Sequence, residues 1–244
     1  MGPIQEVVMR KKLRDYKSRL SVSILKLINT IAVSTHFKKV EIAGVENIPR
    51  KGAYLLVANH VSRWDGLVIA KLVGRMSNWM VSPNELKGVQ GILLRGGGAF
   101  PADPRFDILA HIKTQAGKGE PIVIFPEGNL FRDGFTHPFK NGAARAALSC
   151  AEAGIDMPVV PAAINFSENG KVAHVLIAPP ITVESYLSDY KLEPNCAIRN
   201  LTVSLYREVC HLRAALGVVR DRNAVLSTVP VRQWAPRIDG SEVA

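Results

Sequence analysis

The feature that most constrains this chain is a set of short, unbroken apolar runs, each bounded by turn residues and separated by longer mixed stretches. "AYLLVAN" (53–59) and "PIVIF" (121–125) are the clearest. A strand with one face in water alternates apolar and polar residues, so an unbroken run signals a strand covered on both faces. "NWMVS", "PVVPAAI" and "VAHVLIA" are further strand candidates, and "KVEIAGVENI", which alternates and runs into Pro49, reads as an edge strand. Between the strands, residues 64–75, 105–117 and 141–153 read as helices, and 195–216 as a C-terminal helix. Strands alternating with helices of this length predict an α/β fold, a largely parallel mixed sheet flanked by helices, with an N-terminal amphipathic helix. The 244 residues suffice for one substantial core. The expected organisation is a basic amphipathic helix over 1–38, an α/β domain over 39–220 and an irregular tail over 221–244.

Charge is concentrated at the start. Of a net +10, residues 1–40 carry +7, with Arg10, Lys11, Lys12, Arg14, Lys17, Arg19, Lys26, Lys38 and Lys39 against Glu6 and Asp15. Leu13, Tyr16, Leu20, Ile24, Leu27, Ile28 and Ile31 recur there at helical steps and form one stripe. Arg19, Lys26 and Lys38 interrupt any run of about 20 apolar residues, the length a span requires. A basic amphipathic helix without a span either lies on a membrane surface or packs its stripe on the rest of the domain. Nothing at the start resembles a signal peptide. Cys150, Cys196 and Cys210 are few and odd in number, which argues for a reducing compartment. Nucleic acid is disfavoured as a partner, because aromatics are only 7% and the charge sits on an amphipathic segment.

Three strand ends carry polar residues, where sites gather in open α/β sheets. In "NHVSRWD", His60 and Asp65 are five apart, so on one helix they would diverge by about 140°. They meet only if His60 stands in the turn after a strand and Asp65 reaches back from the first turn of the next helix. A carboxylate there would fix the imidazole tautomer and leave the other ring nitrogen free as a general base. "PIVIFPEGNLFRDG" runs from a strand into Glu127 and Gly128, a plausible substrate contact or an ordinary turn. "LLRGGGAFPADPR" reads as a flexible glycine loop near an anion or a plain connection, and Lys140 and Gly142 stand at a helix start, where backbone N–H groups favour phosphate. The other histidines and the cysteines lack metal-ligand spacing, so no metal is expected; Cys150, in an alanine-rich helix, reads as core.

Together these elements resemble the glycerolipid acyltransferase family typified by 1-acylglycerol-3-phosphate acyltransferase. "NHVSRWD" matches its N-H-x-x-x-x-D block, "GGAFPA" is similar to the second block, "FPEG" matches the third and "VVPAAI" the fourth, in the family's order over roughly residues 40–185. Two positions depart from it. Asn129-Leu130 stands where the family has Thr-Arg, and Asp103 stands where the second block closes on arginine.

The resemblance implies an O-acyltransferase that moves a fatty acyl group from a thioester to a lysophospholipid hydroxyl. The foremost acceptor is 1-acyl-sn-glycerol 3-phosphate, giving phosphatidic acid. It implies His60 and Asp65 as the catalytic pair. Glu127, Gly128 and Asn129 would hold the acceptor, with Arg95, Arg105, Arg132 or Lys140 on its phosphate. Acyl-CoA or acyl-ACP would be a substrate, with no further cofactor and no metal. Location at the cytoplasmic face of a membrane, peripherally bound, follows from the substrate class and the basic helix. The competing expectations are an acyltransferase for another lysolipid or a non-glycerol acceptor, and a non-catalytic lipid-binding protein on a membrane surface.

Overall fold

The computed structural model describes residues 10–217; the expected tail over 221–244 and the first nine residues lie outside that range. The strands are β1 (Lys39–Ala43), β2 (Leu55–Ala58), β3 (Asn78–Val81), β4 (Ala99–Pro101), β5 (Ile122–Ile124), β6 (Val159–Phe166) and β7 (Val172–Ile177). They form one sheet in the order β1-β7-β6-β2-β5-β3-β4, parallel throughout except at the β6–β7 hairpin. The unbroken apolar runs occupy its centre, and the alternating "KVEIA" lies at the edge, as their patterns require.

The helices are α1 (Arg19–His36), α2 (Asp65–Val73), α3 (Gly88–Gly96), α4 (Ile108–Gly117), α5 (Gly142–Glu152), α6 (Leu187–Leu192) and α7 (Pro194–Ala215). Strand residues alternate between two cores. Leu55, Val57, Ile122 and Ile124 pack with α4, α5 and α7, and Leu56, Ala58, Val123 and Val160 pack with α1 and α2. Both sheet faces are therefore dry, and β2 has all four residues buried. Cys150 lies in the first core, where burial pushes its thiol up to about 11.

The N-terminal helix differs from expectation in extent. It starts at Arg19, where the Ser18 hydroxyl accepts from the Ser21 N–H, so Leu13 and Tyr16 precede it in extended chain. Its conspicuous apolar stripe does not pack. Leu20 is 71% exposed, Leu27 63% and Ile31 55%, with Ile24 and Ile28 alongside them. A second line faces inward. Val33 is buried, and Asn29 Nδ2 donates to the Leu67 carbonyl of α2 at 2.9 Å.

The glycine run is not a flexible loop. Gly96 ends α3, a helix absent from the sequence reading, and Gly98 leads into β4. A Cβ on Gly96 would meet Ser21, one on Gly97 would lie 2.6 Å from Leu25 Cδ1, and one on Gly98 would lie 2.7 Å from Lys17 Cδ. The three glycines thus form the surface against which the N-terminal segment is laid. Lys17 pins that segment. Its side chain, 1% exposed, passes over Gly98, and Nζ donates to Asn78 Oδ1 and pairs with Glu120 at 2.9 Å and Asp15 at 3.2 Å.

Removing the buried ammonium leaves the part-buried Glu120 and Asp15 carboxylates and Asn78 Oδ1 without their shared partner. Lys17→Met is therefore expected to lower unfolding stability by roughly 2–4 kcal/mol in urea titration, and an unchanged midpoint would show that the clamp contributes nothing.

Candidate active site

The site is built at the carboxyl ends of the central strands. β2 ends at Ala58, and Asn59, fully buried, extends its pairing with β6. Its Nδ2 donates to the Ile164 carbonyl and its Oδ1 accepts from the Ile164 N–H, both at 2.9 Å. This double bond fixes the backbone one residue before His60, a role that no spacing signal in the sequence disclosed.

His60 stands in the turn and Asp65 is the first residue of α2, the arrangement that the five-residue step demanded. Asp65 is fully buried, and its Oδ2 accepts three bonds: His60 Nδ1–H at 2.7 Å, Val61 N–H at 2.7 Å and Ser62 N–H at 2.8 Å. Because two backbone donors already point at this oxygen, it acts as an acceptor, and the imidazole proton belongs on Nδ1. Nε2 is left with its lone pair. Burial raises the Asp65 carboxyl above its ordinary value, and the hydrogen bonds from His60, Ser62 and Val61 act against that. The imidazole stacks on Phe125 at 4.6 Å and keeps 24% of its side chain exposed, so the free edge is reachable.

Glu127 lies elsewhere than an acceptor-binding carboxylate would. It is 3% exposed, and both oxygens are occupied by backbone donors, Oε1 by His60 N–H at 2.8 Å and Oε2 by His137 N–H at 3.0 Å. Its role in this geometry is to tie the loop after β5 to the catalytic turn. The Phe131 N–H closes the same junction by donating to the His60 carbonyl at 3.2 Å. Burial raises the Glu127 carboxyl, and the bonds from His60 and His137 and the charge of Arg213 oppose it.

The remaining expected residues divide. Gly128 and Asn129 are exposed at the loop start. Gly128 has φ +67°, and a Cβ there would lie 2.5 Å from Lys140 Nζ, so glycine admits the ammonium over the turn. Lys140 Nζ lies 3.4 Å from the Gly128 carbonyl, and Arg132 is exposed on the same loop. The structure does not bring Arg95 or Arg105 to this place. Arg95 borders Gly98 and Asn78 at the amino ends of β4 and β3, opposite the strand ends that carry His60. Arg105 is gripped by Asp103 at the far edge of the sheet, with Nε 3.0 Å from both carboxylate oxygens. Among the described residues no group of three or more His, Cys, Asp or Glu could hold a metal ion.

Residues 39–165, more than half of the chain, match the Acyltransferase family model. The chain is 31% identical over 163 residues to the chloroplastic 1-acyl-sn-glycerol-3-phosphate acyltransferase BAT2 of Brassica napus, covering 64% of this chain and 45% of that protein. It is 28% identical over 136 residues to the 1-acyl-sn-glycerol-3-phosphate acyltransferase of Borreliella burgdorferi, covering 53% of this chain and 54% of that one. It thus spans about half the length of the curated relatives it matches. The crystal structure of the 1-acyl-sn-glycerophosphate acyltransferase PlsC from Thermotoga maritima shares the fold, with TM-score 0.61 and 21% identity over 79% of this chain and 80% of that chain. From its strand order, its His60–Asp65 turn and the matched segment, the chain belongs to the acyltransferase family.

Proposed function

We propose that the protein transfers a fatty acyl group from a thioester to the free hydroxyl of 1-acyl-sn-glycerol 3-phosphate, giving phosphatidic acid. The observation that carries this reading is the three-donor grip on Asp65 Oδ2, which leaves His60 Nε2 bare and accessible. Nε2 takes the hydroxyl proton as the acceptor oxygen attacks the thioester carbonyl. The new C–O ester bond forms, the C–S bond breaks, and the departing thiolate recovers a proton. Asp65 stabilises the imidazolium that exists between these events. No acyl-enzyme is needed, since the thioester is already activated and positioning supplies much of the rate.

The names of the two relatives support the acceptor assignment. Lys140, whose ammonium lies over Gly128, and the exposed Arg132 are the cations we assign to the acceptor phosphate. A different lysolipid headgroup is the second reading. It is favoured by Asn129-Leu130, which stands where the family has Thr-Arg with its phosphate-meeting arginine, and by Asp103, which stands where the second block closes on arginine and is paired with Arg105.

We further assign α1 to a membrane surface, on the cytoplasmic face. No helix among the described residues is long and apolar enough to cross a membrane. The outward stripe of Leu20, Ile24, Leu27, Ile28 and Ile31 is not covered by any of the described residues, and the segment before it is strongly basic. The helix also reaches the site, because His36 at its end stacks on Trp64, next to Asp65, at 4.0 Å.

His60→Ala is expected to keep the fold and to lower acyl transfer by about 10²–10⁴-fold, and Asp65→Asn to lower it comparably. The assay incubates the protein with acyl-CoA or acyl-ACP and a panel of lysolipids and identifies products by mass; a folded His60→Ala protein with parental turnover contradicts the mechanism. Replacing Ile24, Leu27 and Ile28 together by Asn should abolish sedimentation with anionic vesicles while leaving the melting temperature within a few degrees. Undiminished sedimentation would remove α1 from the membrane contact.

A further inference from the structure

The catalytic turn is held by the buried carboxylate of Glu127, and the loop that carries Glu127 is held in turn by a residue far away in sequence. Arg213, near the end of α7, is 3% exposed. Its Nη1 donates to Thr136 Oγ1 at 2.7 Å and its Nη2 to the Gly134 carbonyl at 3.2 Å, while Nε is buried with no hydrogen-bond partner. Tyr206, two turns earlier on α7, donates to the Thr136 carbonyl at 3.3 Å.

Arginine occupies a position that continues the inward line Leu201, Leu205, Val209 and Leu212, where an aliphatic residue would pack. A buried guanidinium with neutral oxygens as its only bonded partners is costly unless a negative charge lies near. The residue after Thr136, His137, donates its N–H to the buried carboxylate of Glu127, so the bonds of Arg213 end one residue from that carboxylate, and the guanidinium charge acts on it.

We propose that Arg213 is a positioning residue for acyl transfer, acting across the loop 128–137 as the counter-charge that keeps Glu127 an acceptor for both the His60 and His137 backbone N–H groups. An ionised carboxylate offers both oxygens as acceptors, whereas a protonated one turns one of them into a donor. A protonated Glu127 therefore releases one of its two partners, and the turn bearing His60 loosens. The charged and titratable groups around Glu127 are the His60–Asp65 pair on the β2 side, His137 with Asp133 and Lys140 on its own loop, and Arg213 from α7. His137 is paired with Asp133 at 2.9 Å, and the Lys140 ammonium is exposed at Gly128, so the buried cation without an ion-pair partner among the described residues is Arg213. This inference rests on the acyl-transfer reading for its catalytic consequence, but the coupling of Arg213 to Glu127 can be read without turnover.

The test follows the amide resonances of His60 and His137 against pH by ¹H–¹⁵N NMR, in the parent, Arg213→Gln and Arg213→Lys, together with the pH profile of kcat/KM. Arg213→Gln, which keeps hydrogen-bonding capacity but loses charge, should move the common midpoint of the two amides upward by roughly half a pH unit or more. On the acid side of kcat/KM, where protonation of the base His60 already removes activity, the Glu127 step should move with it as a second protonation. Arg213→Lys should hold both near the parental values. An unmoved midpoint in folded Arg213→Gln, or an equal shift in Arg213→Lys, overturns the proposal. If Arg213→Gln does not fold, the same two midpoints are read in Thr136→Val, which removes one bond of Arg213 and keeps its charge: midpoints at the parental pH support the counter-charge, and an upward shift overturns it. A protein without acyl-transfer activity but with the expected amide midpoints would defeat the function and leave the coupling standing.

Discussion

The hydrogen bonds converging on Asp65 Oδ2 are the interaction on which the site depends. One carboxylate oxygen, removed from water, organises the backbone of Val61 and Ser62 and the ring of His60 at once. Because both backbone donors come from the turn that carries His60, ring and main chain are aligned by the same acceptor. Loss of that oxygen would therefore cost orientation and tautomer together. The dry setting strengthens each bond, and it also raises the carboxyl, so the arrangement is stable only while the donors remain in place.

Around this centre the fold supplies successive restraints. Asn59 locks the strand before the turn, Glu127 locks the turn to the next loop, and α7 locks that loop through Tyr206 and Arg213. On the other side, α1 reaches the turn through the His36–Trp64 stack while presenting an uncovered apolar stripe outward. The base thus lies between a rigid α/β frame and the helix we place on the lipid surface. That is where an acceptor arriving from a bilayer would meet a thioester arriving from water.

Much of this was legible in the sequence, for identifiable reasons. Strands buried on both faces announce themselves as unbroken apolar runs, and the His60–Asp65 step lets the two side chains meet only as a turn residue served by the following helix. Other features were hidden because they are set by tertiary contacts. The glycine run 96–98 reads as a loop, yet its glycines are required by Ser21, Leu25 and Lys17, side chains some 75 residues away in the chain. The short β4 and helix α3 around it carried no clear period. Glu127 looked like a ligand-binding carboxylate because its neighbours in sequence are loop-like, whereas burial gives it two backbone partners. Arg95 and Arg105 were grouped with the site by proximity in sequence alone, and sheet order separates them from it. Arg213 had one visible signal, a charge on the inward line of a C-terminal helix, whose meaning depends on what the helix covers.

The central claim is that neutral His60 carries its proton on Nδ1, toward Asp65, and offers a bare Nε2 to the acceptor. It is tested most directly by ¹⁵N NMR of the imidazole at a pH where the ring is neutral. A protonated Nδ1, with its proton shifted strongly downfield, and a pyridine-type Nε2 are expected. A neutral ring protonated on Nε2 would contradict it.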